Sequence, residues 1–149
     1  MIITFIGHSS LPMTGDLSEK IRQAILERVA VEEDVSFYCG GYGEFDELCA
    51  SVCRSLKAEL PRSEVIYVTP YFTESRQKRI RYYLKEKLYD SAVYPPLERV
   101  PPRLAILKRN EWMIQEADLI LAYVTSPCGG AATALAYARK IGKRILLLE

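Results

Sequence analysis

Residues 37–49 read FYCGGYGEFDELC, with three glycines in four positions between two segments of different periodicity. Val35 to Cys39 is short, apolar and β-prone, as a strand should be. Beyond the glycines, Phe45, Leu48, Val52, Leu56 and Leu60 recur at helical spacings of three and four until Pro61 stops the run. A strand that turns through glycines directly into a helix is the repeating joint of an α/β protein.

The same joint recurs on both sides. Ile2 to Ile6 is a continuous apolar run, as a strand covered on both faces would be. After Pro12 and Gly15, Asp16 and Glu19 resemble a capping pair, and Leu17, Ile21, Ile25 and Val29 mark a helix of about four turns. EVIYVT (64–69) is a third strand, and the charged stretch 74–90 carries a narrow stripe of Ile80, Leu84 and Leu88. YPPLERVPP (94–102), with four prolines, reads as loop. A helix over 103–117, a strand over 118–124, an Ala-rich helix over 129–141 and a last strand in RILLLE complete the pattern. The expected fold is a Rossmann-like, doubly wound α/β sheet, mainly parallel, of about five main strands with helices on both faces. Its 149 residues fit a single domain spanning 1–149.

Composition narrows the function classes. The charged fraction is 26% and the formal net charge +1, so no global field draws the chain to nucleic acid or anionic lipid. With no long apolar run and no signal-like start, no membrane association and a cytoplasmic location are expected. Cys39, Cys49, Cys53 and Cys128 include no Cys-x-x-Cys pair, and His8 is the single histidine. Four small buried thiols, no metal and no cofactor are therefore expected.

In a doubly wound sheet, ligands bind beyond the carboxyl ends of the strands, where strand order reverses. Every expected strand exit carries glycine or proline: Gly7-His8, Gly40-Gly41, Pro70, and the TSPCGG stretch at 125–130. The two Gly-Gly loops differ chemically. CGGAAT (128–133) offers helix N-terminal amides with no acid in the first turn, a place for phosphate, and Thr133 adds a hydroxyl. CGGYGEFDE places Glu44, Asp46 and Glu47 beside the same kind of turn, which suits sugar hydroxyls better than an anion. His8 fits either a ligand contact or a hydrogen bond within its turn.

These loops, with LKRNEWMIQEADLILAY (107–123), resemble the SLOG superfamily of Rossmann-like nucleotide-binding proteins, which includes the Lonely Guy phosphoribohydrolases and the DNA-processing protein DprA. The YpsA-like branch is most similar: FIGH (5–8), GGYGEFD (40–46), TPYF (69–72), RNEWM (109–113) and CGGAATALAYA (128–138) occur in its order. The resemblance implies a nucleotide or nucleotide-derived ligand, sensed rather than turned over, with Arg109 and Asn110 facing the pocket and Gly129, Gly130 and Thr133 around a phosphate. Gly7, His8, Gly40, Gly41, Gly43 and Asp46 are the expected ribose or base side.

Two rivals stand beside that expectation. Lonely Guy enzymes cleave an N-glycosidic bond with a glutamate from their phosphate loop. Here Arg109 and Met113 keep the family spacing, but Asn110 stands where those enzymes have lysine and no glutamate follows Thr133. A hydrolase would need a carboxylate from the other loop, with Asp46, Glu47 and Arg109 as the catalytic candidates. The second rival is a DprA-like DNA role through ESRQKRIRYYLKEKLYD (74–90), with six Lys/Arg against three Asp/Glu and interleaved tyrosines. The near-neutral total charge argues against nucleic acid without closing that route. The apolar helix faces allow a homodimer.

Overall fold

The computed structural model describes residues 1–11 and 15–148. Pro12, expected to break the chain before the first helix, and Glu149, at the end of the last expected strand, lie outside them. The elements in chain order are β1 (Ile2–Gly7), α1 (Leu17–Leu26), β2 (Val35–Cys39), α2 (Glu44–Ser55), β3 (Ser63–Val68), α3 (Glu74–Lys85), β4 (Ser91–Val93), α4 (Ala105–Glu116), β5 (Leu119–Tyr123), α5 (Gly130–Lys140) and β6 (Ile145–Leu147). Short 3₁₀ turns follow α2 at Leu56–Ala58 and precede α4 at Pro102–Leu104.

The six strands form one sheet in the order β4-β3-β2-β1-β5-β6, and every pairing is parallel. Order therefore runs one way from β1 to β4 and the other way from β5 to β6. The reversal lies between β1 and β5. Core residues from α1, α2 and Ile80 of α3 share one apolar cluster, while α4 and α5 contribute Ile114, Ala134, Leu135 and Ala138 to another. Central strand β1 feeds both, with Ile3 and Phe5 in the first cluster and Ile6 in the second. That alternation is the pleat of a strand covered on both faces.

Several local expectations change. β4 is an additional strand at the edge beyond β3, and its three residues are too few to display a periodicity. Asp16 stands at the start of α1 but makes no side-chain capping bond; it pairs with Lys20 at 3.5 Å instead. Helix α1 ends at Leu26, so Val29 is buried from the turn that follows rather than from the helix. In α3 only Ile80 of the expected stripe is buried, whereas Leu84 is 39% exposed. Cys39, Cys49 and Cys53 are buried as expected, but Cys128 is exposed. Burial pushes the thiols of Cys49 and Cys53 well above their ordinary range, which keeps them protonated. Among the described residues no group of histidine, cysteine or acidic side chains could hold a metal ion, and no helix is long and apolar enough to cross a membrane.

Candidate functional site

A cleft of about 530 Å³ opens where strand order reverses, beyond the carboxyl ends of β1 and β5. Its floor is formed by Thr4, Ile6 and Gly7 of β1, one wall by α4, and the other by the loop entering α5. The β1 and β5 exits are stitched together by His8, whose Nε2 accepts from the amides of Thr125 (2.8 Å) and Ser126 (3.3 Å). Accepting two N–H groups places the ring proton on Nδ1. His8 thus lines the cleft while its Nε2 is already occupied by the protein.

The first glycine loop packs against its surroundings. Gly41 has φ +69°, and a Cβ there would lie 2.5 Å from the Tyr67 ring. Gly43 has φ +92°, and a Cβ would meet Ser9 Cα at 2.7 Å. The loop is zipped to the β1 exit: Glu44 N donates to Ser9 O (2.9 Å), and Glu44 Oε2 accepts from Leu11 N (2.7 Å). Gly7 belongs to the same contact, since a Cβ there would stand 2.2 Å from the Phe45 ring. Of the three acids, only Asp46 lines the cleft. Glu44 is spent on the Leu11 amide, and Glu47 is exposed outside the cleft.

Arg109 is the largest fully buried side chain, at 1% exposure. The spacing of α4 brings it under the ends of β2 and β3, where Nη1 donates to Gly40 O (2.7 Å) and Val68 O (2.8 Å), and Nε donates to Asn110 Oδ1 (2.9 Å). Gly40 follows the last residue of β2 and Val68 is the last of β3, so the guanidinium supplies donors to carbonyls at the strand ends. A Cβ at Gly40 would stand 3.0 Å from Asp46 Oδ2 and 3.1 Å from Arg109. Glycine lets this pair sit against the backbone. Burial lifts the Asp46 carboxyl up to about 6, against the pull of Arg109 and of the Tyr42 amide that donates to it at 3.1 Å; Glu47 adds a little in the same direction as burial. Burial lowers Arg109 from its ordinary value and Asp46 opposes that shift. Arg109 and Asn110 both border the cleft, but Arg109 Nη1 is committed to two backbone carbonyls and Nε to Asn110.

The second glycine loop is open. Residues 125–130 are all exposed. Gly129 caps α5 at φ +96° without a side-chain cap, and no atom lies within 4 Å of a Cβ built at Gly129 or Gly130. The first turn of α5 holds no acid. Gly129 and Gly130 border the cleft; Thr133 does not. Its Oγ1 donates to Gly129 O (3.0 Å) within the helix, and it borders a separate groove between α4 and α5. Sequence reasoning passed over Ser9, Ser10, Thr125, Ser126 and Tyr42, all of which line the cleft. Their signal was position: Tyr42, Thr125 and Ser126 lie within the exit loops, and Ser9 and Ser10 follow Gly7-His8.

No family model matches the chain, and no curated protein matches it. Among solved structures, DNA processing protein A from Helicobacter pylori superposes with a TM-score of 0.63 at 16% identity, over 100% of this chain and 65% of that one. The fold resembles that of DNA processing protein A. A second protein of that name, from Streptococcus pneumoniae, gives 0.44 at 12% identity over 97% of this chain and 57% of its own. The chain thus spans less than two thirds of the length of either. The Helicobacter protein is described as binding single-stranded DNA.

Proposed function

We propose that this chain is a SLOG-type module, of the YpsA-like branch, that binds a phosphate-bearing nucleotide or nucleotide derivative in the cleft between β1, α4 and α5. The observation that carries the reading is the open, acid-free start of α5 facing a cleft at the sheet's reversal point. Unpaired amides and the helix dipole there favour an anion. Asp46 and the serines of the β1 exit offer acceptors and donors to sugar hydroxyls on the far side. A ligand sensor fits better than a Lonely Guy-like hydrolase, because among the described residues Asp46 is the one carboxylate in the cleft lining and it is held against Arg109 and the Tyr42 amide.

Calorimetric titration with nucleoside 5′-monophosphates tests the reading, alongside mass spectrometry of whatever co-purifies. Gly130→Asp should abolish binding while the melting temperature stays put, since a side chain there meets no atom and an acid suits a helix start. Unchanged affinity would remove the phosphate from α5.

A second reading rests on α3. Lys78, Arg79, Arg81 and Lys85 make no ion pair among the described residues, and Tyr82 beside them is 57% exposed. Cations interleaved with an open ring suit single-stranded nucleic acid, and the Helicobacter neighbour gives the idea a precedent on this fold. Single-strand affinity should then fall steeply with salt, and charge reversal at Arg79 and Arg81 should flatten that slope; binding indifferent to salt would retire the idea.

A further inference from the structure

Tyr42 borders the cleft yet belongs to neither apolar cluster of the core. It is held by polar tethers instead. Its amide donates to Asp46 Oδ2 (3.1 Å), and its hydroxyl accepts from Arg76 Nη2 (2.6 Å). The guanidinium groups of Arg109 and Arg76 stand 5.3 and 5.4 Å from the ring centroid. Both cations are themselves anchored. Arg109 is tied to the ends of β2 and β3, and Arg76, on α3, also donates through Nη1 to the Tyr67 hydroxyl (3.2 Å). An aromatic ring fixed from its backbone, its hydroxyl and two neighbouring cations has little rotamer freedom left to lose on binding.

We infer that Tyr42 is the stacking wall for the planar base of the bound nucleotide, and that Arg76 is the positioning residue that holds the ring in place. This rests on the nucleotide reading above and extends it from the phosphate to the base. The chemistry is direct. Every nucleobase presents a π face, and a tyrosine ring backed by a fixed cation offers a flat, weakly hydrated surface against it. Ile106 and Met113 of α4 add apolar surface to the lining of the same cleft. The phosphate end, at α5, makes no use of Tyr42. The two halves of the ligand therefore depend on different residues, and they can be separated.

The test is calorimetric titration of the full chain with adenosine 5′-monophosphate and, separately, ribose 5-phosphate, which carries the same phosphate and sugar without the base. Tyr42→Ala should weaken the monophosphate about tenfold or more, the range of one lost base stack, and leave ribose 5-phosphate within about twofold. Tyr42→Phe should retain most of the affinity because the ring remains. Arg76→Met should fall between the two, again for the monophosphate alone. Equal weakening of both ligands by Tyr42→Ala, or no change in either, overturns the inference. Should Tyr42→Ala fail to fold, Tyr42→Leu keeps the bulk without the π face, and the same split is expected of it. Wild-type protein that binds ribose 5-phosphate as tightly as the monophosphate refutes the base wall alone. Wild-type protein that binds neither refutes the nucleotide reading and the inference with it.

Discussion

Gly40-Gly41 and Gly129-Gly130 are the same dipeptide at the same kind of joint, and they answer opposite needs. At the first pair a Cβ would press on Asp46, Arg109 and the Tyr67 ring; at the second it would meet nothing. One pair is glycine because the protein's own side chains fill the space. The other leaves space that no described residue fills, at a helix start without a side-chain cap. A glycine loop is therefore not a ligand loop by composition. What distinguishes the two is whether the volume released by the missing side chain belongs to the core or to solvent.

The contrast can be broken experimentally. Gly41→Ala should show the largest effect, a loss of about 2–4 kcal/mol in denaturant unfolding, because it combines φ +69° with a contact of 2.5 Å to a ring. A loss under about 1 kcal/mol would mean the first loop is as yielding as the second.

Asp46→Asn should act through pH, and the direction follows from the raised carboxyl. Between the ordinary carboxylate range and about 6, the folded chain holds the Asp46 proton while the unfolded chain has released it. This group therefore lowers stability as pH rises through that window and contributes no slope above it. Unfolding followed from pH 4 to 7 should lose that part of its slope in Asp46→Asn, and an identical profile would place the carboxyl in ordinary solvent.

Gly130→Ala should change least. With open space and a helical position, it should be neutral or more stable by about 0.4–1 kcal/mol. A clear loss of stability would show that the second loop is packed after all.

Much of the architecture was legible because strands buried on both faces are continuous apolar runs. β1, β3 and β5 announced themselves so, β2 by a short β-prone run, and glycine or proline marked the exits of these four. β4 was missed for the complementary reason: three residues at a sheet edge carry no period, and their strand character comes from pairing with β3. The site divided in the same way. Gly7, His8, Asp46, Arg109, Asn110, Gly129 and Gly130 do meet at one cleft. Thr133 turned its hydroxyl to its own helix, and Glu47 stayed in solvent, because the facing of a residue within one helical turn depends on what the helix packs against. That Arg109 borders the pocket could be expected from the resemblance. Its burial against two carbonyls from distant strands could not.

Left to itself, the order of residues determined the alternation of strands and helices, the parallel sheet and the row of turns along one edge, since periodicity and chain-breaking residues act over a few positions. Only the folded arrangement decided which glycine loop is full and which is empty, and which charged groups are consumed by the protein. Those outcomes depend on contacts between segments some 30 to 70 positions apart, such as Tyr42 with Arg76 and Gly40 with Arg109. No local pattern encodes a contact of that range.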